Sequence, residues 1–262
     1  MRFLIHFSYD GSSFHGYQTQ PGYRTIQEEL ENAATKINNG EKVKVVASGR
    51  TDKKVHAYHQ VAHLDMNVSI SPKQVKRAMN RYLPSDIHVF ETEEVSSDFH
   101  ARYYVISKTY EYHLNMGEYN PIRRNYCYQH NYKLDIEAMK KAITYFIGTH
   151  DFRAFVTENS IKDNCVRTIT NASITLDDYY KDEIVFTFEG NGFLRYQVRN
   201  MVGLLIKVGT GKIDYKLVKE ILDSKVRGKY GTTAKAEGLY LKNIVLRSWQ
   251  IKRLWYNFNR YI

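Results

Sequence analysis

Only two cysteines, Cys127 and Cys165, occur in the 262-residue chain. Neither stands at a metal-ligand spacing and no disulfide framework surrounds them, which argues against a cysteine-stapled secreted scaffold and suits a reducing compartment. No apolar run reaches the roughly 18 residues that a membrane-spanning helix needs. The opening MRFLIHFSYDG brings charge and a turn signal too early for a signal peptide, so a cytoplasmic protein is expected. The glycine-rich dinucleotide fingerprint, the P-loop and HExxH are all missing, which removes support for the usual nucleotide and zinc readings. Internal repeats and low-complexity linkers are absent as well.

What is present is positive charge and tyrosine. The net charge is +10, and it is uneven: residues 1–102 hold 13 Lys and Arg against 12 Asp and Glu, whereas residues 103–262 hold 25 against 16. Excess cations attract phosphate backbones and release counterions, which makes nucleic acid the leading partner class. Interleaved with the charge are 22 tyrosines, and aromatic rings are stacking platforms for unpaired bases, although most single tyrosines are expected to pack on sheet surfaces. Apolar content of 43% and charged content of 25% are ordinary for a globular chain and argue against long disorder.

Strand and helix patterns interleave without the regular alternation of a doubly wound sheet, so the expected class is α+β with antiparallel sheet. RFLIHFSY alternates Phe3, Ile5, Phe7 and Tyr9 as a strand, and Asp10-Gly11 turns it. Thr25 with Glu28 has the form of a capping box ahead of a helix carrying Ile26, Leu30, Ala33 and Ile37. KVKVVAS is a strand candidate, and SPKQVKRAMNRYL a helix with Ser71 as cap and Pro72 first. The second half repeats the theme: TYEYHLNM and IVFTFEG as strands, a helix opened by Asp135 and closed by Gly148, another across residues 195–208, and a short one in DYKLVKEILDSK. The charge shift and the two similar element lists suggest halves at residues 1–102 and 103–248, followed by a basic-aromatic tail, 249–262.

Between KVKVVAS and QVAHLDM lies SGRTDKKVHAYHQ, residues 48–60. A carboxylate on such a connection stands at the rim of a sheet, and it serves as nucleophile or general base when desolvated and oriented. Arg50 is placed to bind phosphate or to fill the gap left by an extruded base. Taken alone, an Asp in a charged turn is more often solvated structure. His56, His59 and His63 would share a helical face as metal ligands do. On a strand, however, they are expected to face different sides, and no metal is expected.

GRTD followed by VHA resembles the signature of the TruA family of tRNA pseudouridine synthases. The likeness continues in family order over about residues 1–246, through YDGSSFHGYQTQ, TIQEELENA, LPSDIHV, DFHARYYVISKTYEY, GTHDFRAF, VRTI, GNGFLRYQVRNMVG and AEGLYL. The resemblance implies the pseudouridine synthase fold, two similar α+β halves around a central antiparallel sheet with the active site in a basic cleft. It implies isomerisation of uridine to pseudouridine in the anticodon stem-loop of tRNAs, conventionally positions 38 to 40, by a homodimer in which one subunit holds the tRNA body while the other presents its active site. Within it Asp52 matches the catalytic aspartate and nucleophile, and Arg50 the arginine that helps extrude the target base. Tyr110 matches the ring that stacks on uracil and takes part in a late proton removal. Arg199 matches the arginine paired with the aspartate, and Leu239 the apolar lining of the uracil pocket. An isomerisation balances its own atoms, so no cofactor is expected.

The residues are compatible with these roles. Breaking a glycosidic bond builds positive character on the sugar, which a nearby anion stabilises. Arg199 falls beside Val202 on its helix, from where it can point inward, and a charge-assisted pair is expected to hold Asp52 ionised. Two departures stand out. Lys54 occupies a position where the family usually has glycine, a residue that permits tight turns, so that Lys54 is expected either to contact phosphate or to point to solvent. Tyr17 replaces the usual tryptophan. A paralogue acting on another RNA, such as ribosomal RNA, and a non-catalytic RNA-binding protein are the alternatives; intact Arg50, Asp52, Tyr110 and Arg199 argue against the second.

Overall fold

The computed structural model describes residues 1–157, 161, 164–226, 228 and 231–247; the tail beyond residue 248 lies outside them. The first half supplies β1 (Arg2–Tyr9), α1 (Ile26–Ile37), β2 (Val45–Ala47), β3 (His56–Asp65), α2 (Pro72–Tyr82) and β4 (Ile87–Val95). The second supplies β5 (Val105–Asn115), β6 (Tyr128–Gln129), α3 (Ile136–Ile143), β7 (Gly148–Asp151), β8 (Val166–Leu176), β9 (Glu183–Gly190), α4 (Gln197–Gly209), α5 (Leu217–Ser224) and β10 (Leu239–Leu246). All strands join one sheet in the order β4-β1-β3-β10-β5-β9-β8-β7, with β2 on β3 and β6 on β5. The pairing is antiparallel except for β10 with β3 and β5 with β6. The last strand in sequence therefore lies between strands of the two halves, and so brings residues near 239 beside those near 56 and 110.

Residues paired directly across strands share a sheet face, and the registers define two faces of different character. One row runs Tyr9, Ala57, Leu241, Tyr110, Phe188, Ala172, all of it buried. On the opposite face the equivalent row begins His56, Tyr240, Glu111, where rings of His56 and Tyr58 stack on Tyr240 at 4.7 and 5.0 Å. The first face carries the core.

The helices fall where their periodicities place them, and two of their predicted caps form. Ser71 Oγ accepts from the Gln74 N–H and the Gln74 side chain accepts from the Ser71 N–H, completing a capping box, while the Asp135 carboxylate caps α3 through Ala138. The Thr25–Glu28 box does not form: Thr25 is fully buried and its Oγ1 has no hydrogen-bond partner. The strand candidate KVKVVAS shortens to Val45–Ala47, and α3 gives way to a 3-10 turn at Thr144–Phe146 before Gly148.

Three strands carry no clean two-residue period. In β10 the register slips between Leu241 and Asn243, and in β8 between Ile169 and Asn171; a bulge inserts a residue and moves later side chains across the pattern. β4 closes one edge of the sheet and carries Glu91, Glu93 and Glu94, the charge that blunts an edge against pairing with another chain.

The two caps differ in a way that stability measures. Ser71→Ala is expected to lower unfolding free energy by about 1 kcal/mol. Thr25→Val, which removes a buried hydroxyl that bonds nothing, is expected to be neutral or stabilising in the same denaturant titration.

Candidate active site

Asp52 lies on the β2–β3 connection, whose backbone is held from several sides. The Ser48 N–H donates to the Val61 carbonyl at 2.9 Å, and the Ser48 hydroxyl donates to the buried Gln60 Oε1 at 2.7 Å. Gln60 in turn donates through Nε2 to the Gly49 carbonyl at 3.0 Å. Downstream, Tyr9 Oη and Thr51 Oγ1 are bonded at 2.7 Å, and the Tyr17 N–H donates to the Thr51 carbonyl at 3.1 Å. Gly16 passes so close that a Cβ there would lie 3.0 Å from the Thr51 carbonyl oxygen. Then the chain turns: Lys54 has φ 65°, and its N–H donates to the Phe14 carbonyl at 3.3 Å. That left-handed conformation is the one glycine adopts freely and lysine does not, which is the physical reason a glycine suits the position.

α4 supplies the cations. Its N-cap, Tyr196, is itself left-handed at φ 63°, and the Tyr196 ring lies under both Arg195 and Arg199, 4.8 and 5.4 Å from their guanidinium carbons. Arg199 Nη1 donates to Asp52 Oδ2 at 3.3 Å, and Arg195 Nε stands 4.0 Å from Oδ1. Arg199 also donates through Nε to the Ala234 carbonyl at 2.8 Å, while its own carbonyl accepts from the Ala234 N–H at 3.0 Å. The segment so held crosses α4 at Gly203, where a Cβ would sit 2.1 Å from the Thr232 carbonyl oxygen, and leads into Leu239.

The Asp52 side chain is 19% exposed. Burial pushes its carboxyl above the usual range, and the charges of Arg199 and Arg195 pull it back only in part. The expected pair is present, and its pull toward the ionised form acts against a desolvation that outweighs it. Tyr110, between Leu241 of β10 and Phe188 of β9, meets Phe193 edge-on at 5.2 Å. Burial first, then Tyr9 and the Asp52 carboxylate, raise the Tyr110 phenol well above its ordinary value, so it is protonated at neutral pH. Leu239 is buried opposite Tyr112 at the start of β10, on the face that bears Tyr110. Arg50 and Lys54 are exposed on the loop.

Asp52, Arg199 and Tyr110 thus come together, Leu239 lies on the same sheet face, and Arg50 and Lys54 stand at the rim. Arg195, Phe193 and Tyr9 complete the surroundings and were not among the residues singled out. Arg195 had no periodic signal: it precedes α4, and the left-handed Tyr196 breaks any helical phase with Arg199 and turns the Arg195 side chain toward the carboxylate. Phe193 and Tyr9 had none, since turns and cross-strand neighbours set their places.

The three β3 histidines depart from expectation. The β1–β3 register moves from Tyr9–Ala57 to Phe7–Gln60, so β3 carries an extra residue and His56, His59 and His63 share a face instead of alternating. They do not converge. His56 Nδ1 accepts from the Gly11 N–H at 3.1 Å with Nε2 against the Asn125 carbonyl at 2.8 Å, a neutral tautomer consistent with the downward push of burial on this ring. His59 is bonded between His6 and Asn243, and His63 Nδ1 accepts from the Ala101 N–H. Among the described residues, two groups bring potential cation ligands within 4.8 Å of one another, His6–Glu91–Glu93 and His113–Asp177–Glu183. The register puts His6 and His113 on the face opposite Tyr110, and Glu183 is already engaged by Arg123 at 2.6 Å.

An ionisable carboxylate flanked by two arginines, beside a neutral tyrosine over an apolar wall, is suited to a flat uncharged ring whose attached sugar gains positive character in the reaction. Comparison with known proteins agrees. Residues 5–104 and 142–245 match the family model described as tRNA pseudouridine synthase. A protein named tRNA pseudouridine synthase A from Streptococcus agalactiae serotype Ia is 44% identical over 245 residues, covering 93% of this chain and 95% of its own. Its namesake from Streptococcus agalactiae serotype III is 42% identical over 260 residues, with 99% of each chain covered. The one from Streptococcus pyogenes serotype M49 is 44% identical over 245 residues, covering 93% of this chain and 98% of its own. With this coverage at this identity, the chain belongs to the TruA family of tRNA pseudouridine synthases, isomerases that act on tRNA.

Proposed function

We propose that the protein converts uridine to pseudouridine in the anticodon stem-loop of tRNAs, at the conventional positions 38 to 40, with Asp52 as nucleophile. The observation that carries this reading is the Asp52–Arg199 pair at 3.3 Å at the edge of the sheet face bearing Tyr110 and Leu239. Asp52 attacks the target nucleotide and uracil detaches, turns and rejoins through carbon. Arg199 orients the carboxylate and keeps enough of it ionised to act. Tyr110 stacks on the uracil against Leu239. Because its phenol is protonated in the resting site, it takes up the late proton only by handing on its own. Arg50 fills the space vacated by the base, and Lys54 meets a phosphate.

The two halves meeting at residue 102 form the walls of the cleft, the basic second half lying along the RNA. A homodimer places the tRNA body on one subunit and the target loop in the other, in the cytoplasm where tRNA resides. No helix among the described residues is long and apolar enough to cross a membrane.

Nucleotide-resolution mapping of pseudouridine on unmodified tRNA and ribosomal RNA tests the reading. Signal confined to the anticodon stem-loop and lost in Asp52→Asn, with tRNA affinity near wild type, is the expected result; signal in ribosomal RNA alone would replace the substrate, and an active Asp52→Asn would remove the nucleophile.

Stability supplies a second check. A carboxyl whose folded pKa exceeds its unfolded one contributes stability that is complete below the unfolded value and lost as pH rises through the folded value. Asp52→Asn is therefore expected to melt above wild type at neutral pH, with the difference vanishing as pH falls below about 4.

For Lys54→Gly, relief of a left-handed lysine, about 1–2 kcal/mol, is offset by the entropy of glycine, about 0.5–1 kcal/mol. The net expectation is a gain of about 0.5–1 kcal/mol, together with weaker tRNA binding and a salt slope smaller by about 1. An unchanged slope would mean that Lys54 touches no phosphate.

A further inference from the structure

We propose that Lys108 is a positioning residue for the catalytic loop: its ammonium, reaching over the sheet from β5, holds Ser48 and Gly49 and so sets where Arg50 and Asp52 stand. The proposal rests on the reading of Asp52 as the reacting carboxylate.

Lys108 lies two residues before Tyr110 on β5, so both project from the same face of the sheet. Its partners across the strands are Ile244 of β10 and Gly190 of β9. To meet the β2–β3 loop its side chain must pass over β10, the strand between β5 and β3, and its Nζ donates to the Ser48 carbonyl at 2.9 Å. The loop closes down on the ammonium: a Cβ on Gly49 would lie 2.5 Å from Nζ. Gly49 thus lies against the ammonium, immediately ahead of Arg50.

Packing does not explain a lysine here. A methionine would fill similar volume without desolvating a charge, and a half-buried ammonium bonded to one neutral carbonyl is a costly way to fill space. The penalty is visible in the group itself, since burial, with a smaller contribution from Arg102, pushes its pKa down to about 8. Ile244, Gly190, Ser48 and Gly49, which surround it, bring no titratable side chain.

The rest of the loop shows what the lysine adds. Thr51 is tied to Tyr9 and Tyr17 on the downstream side, while Ser48 and Gly49 are tied to Gln60 and Lys108 on the upstream side. Arg50 spans the two anchors. Lys108 links the upstream anchor to β5, the strand that carries Tyr110. It therefore ties the placement of Arg50 and Asp52 to that of the ring on which the base stacks. A displacement of about 1 Å at such a point costs on the order of a hundredfold in rate.

The test compares wild type, Lys108→Met, Lys108→Arg and Asp52→Asn in single-turnover pseudouridine formation on an unmodified tRNA transcript, with tRNA Kd and Tm measured alongside. Lys108→Met is expected to slow the reaction about a hundredfold with Kd and Tm close to wild type, and Lys108→Arg to recover most of the loss. The wild-type rate is expected to fall above about pH 8, and the Lys108→Arg rate to hold there, because a guanidinium stays charged. A Lys108→Met enzyme with the wild-type rate overturns the proposal. So does one whose defect lies in Kd, since the lysine would then be an RNA contact, and so does one whose loss simply follows a lowered Tm. An Asp52→Asn protein that still turns over removes instead the reading on which the proposal stands, a result separate from either.

Discussion

The Arg199 guanidinium is shared between two segments far apart in sequence. Through Nη1 it holds Asp52 on the loop of the first half, and through Nε it holds the Ala234 carbonyl on the segment entering β10. A guanidinium can do both because its donors are fixed in one plane and stay charged. The consequence extends beyond the ion pair. β10 is the strand between β3 and β5, so the residue that orients the carboxylate also ties down the approach to the strand that joins the halves and carries Leu239.

Around this hub the structure accepts local costs. Asp52 is desolvated more than its arginines compensate, Lys54 and Tyr196 are left-handed, and Lys108 is a half-buried cation. Such features persist only where the surroundings over-determine them. Here they do: Phe14 and Gly16 hold the turn at Lys54, and α4 is buried along most of its length beneath the 232–234 segment. Behind the loop and the start of α4, Phe186, Phe188 and Tyr112 form a fully closed core. Rigidity in that core is what allows the loop and the helix start to be held in place.

Much of the fold was legible because its determinants are local. Ser71 and Asp135 cap their helices as their types and positions imply, and α4 carries the apolar spacing that predicts it. Where the determinants lie elsewhere, pattern failed. Thr25 has the form of a cap but its hydroxyl is buried and makes no bond. β8 and β10 hide behind bulges, and His56, His59 and His63 fall on one face because β3 takes an extra residue against β1. A bulge is decided by the partner strand, and a single chain segment carries little trace of it.

The sequence by itself determined the family, because motifs such as GRTD, SKTYEY and VRN occur in it in family order. It also showed that position 54 departs from the usual glycine; that the backbone there is left-handed emerged only in the fold. Only the tertiary structure decided the balance of charge at Asp52, since desolvation depends on everything packed around the carboxylate and not on the arginine alone. It alone brought Arg195 to the carboxylate and Lys108 to Ser48, contacts across 143 and 60 residues of chain that arise from the placement of α4 and β5. Local propensity sets which elements form; the distances at which their charges meet are set by how those elements pack.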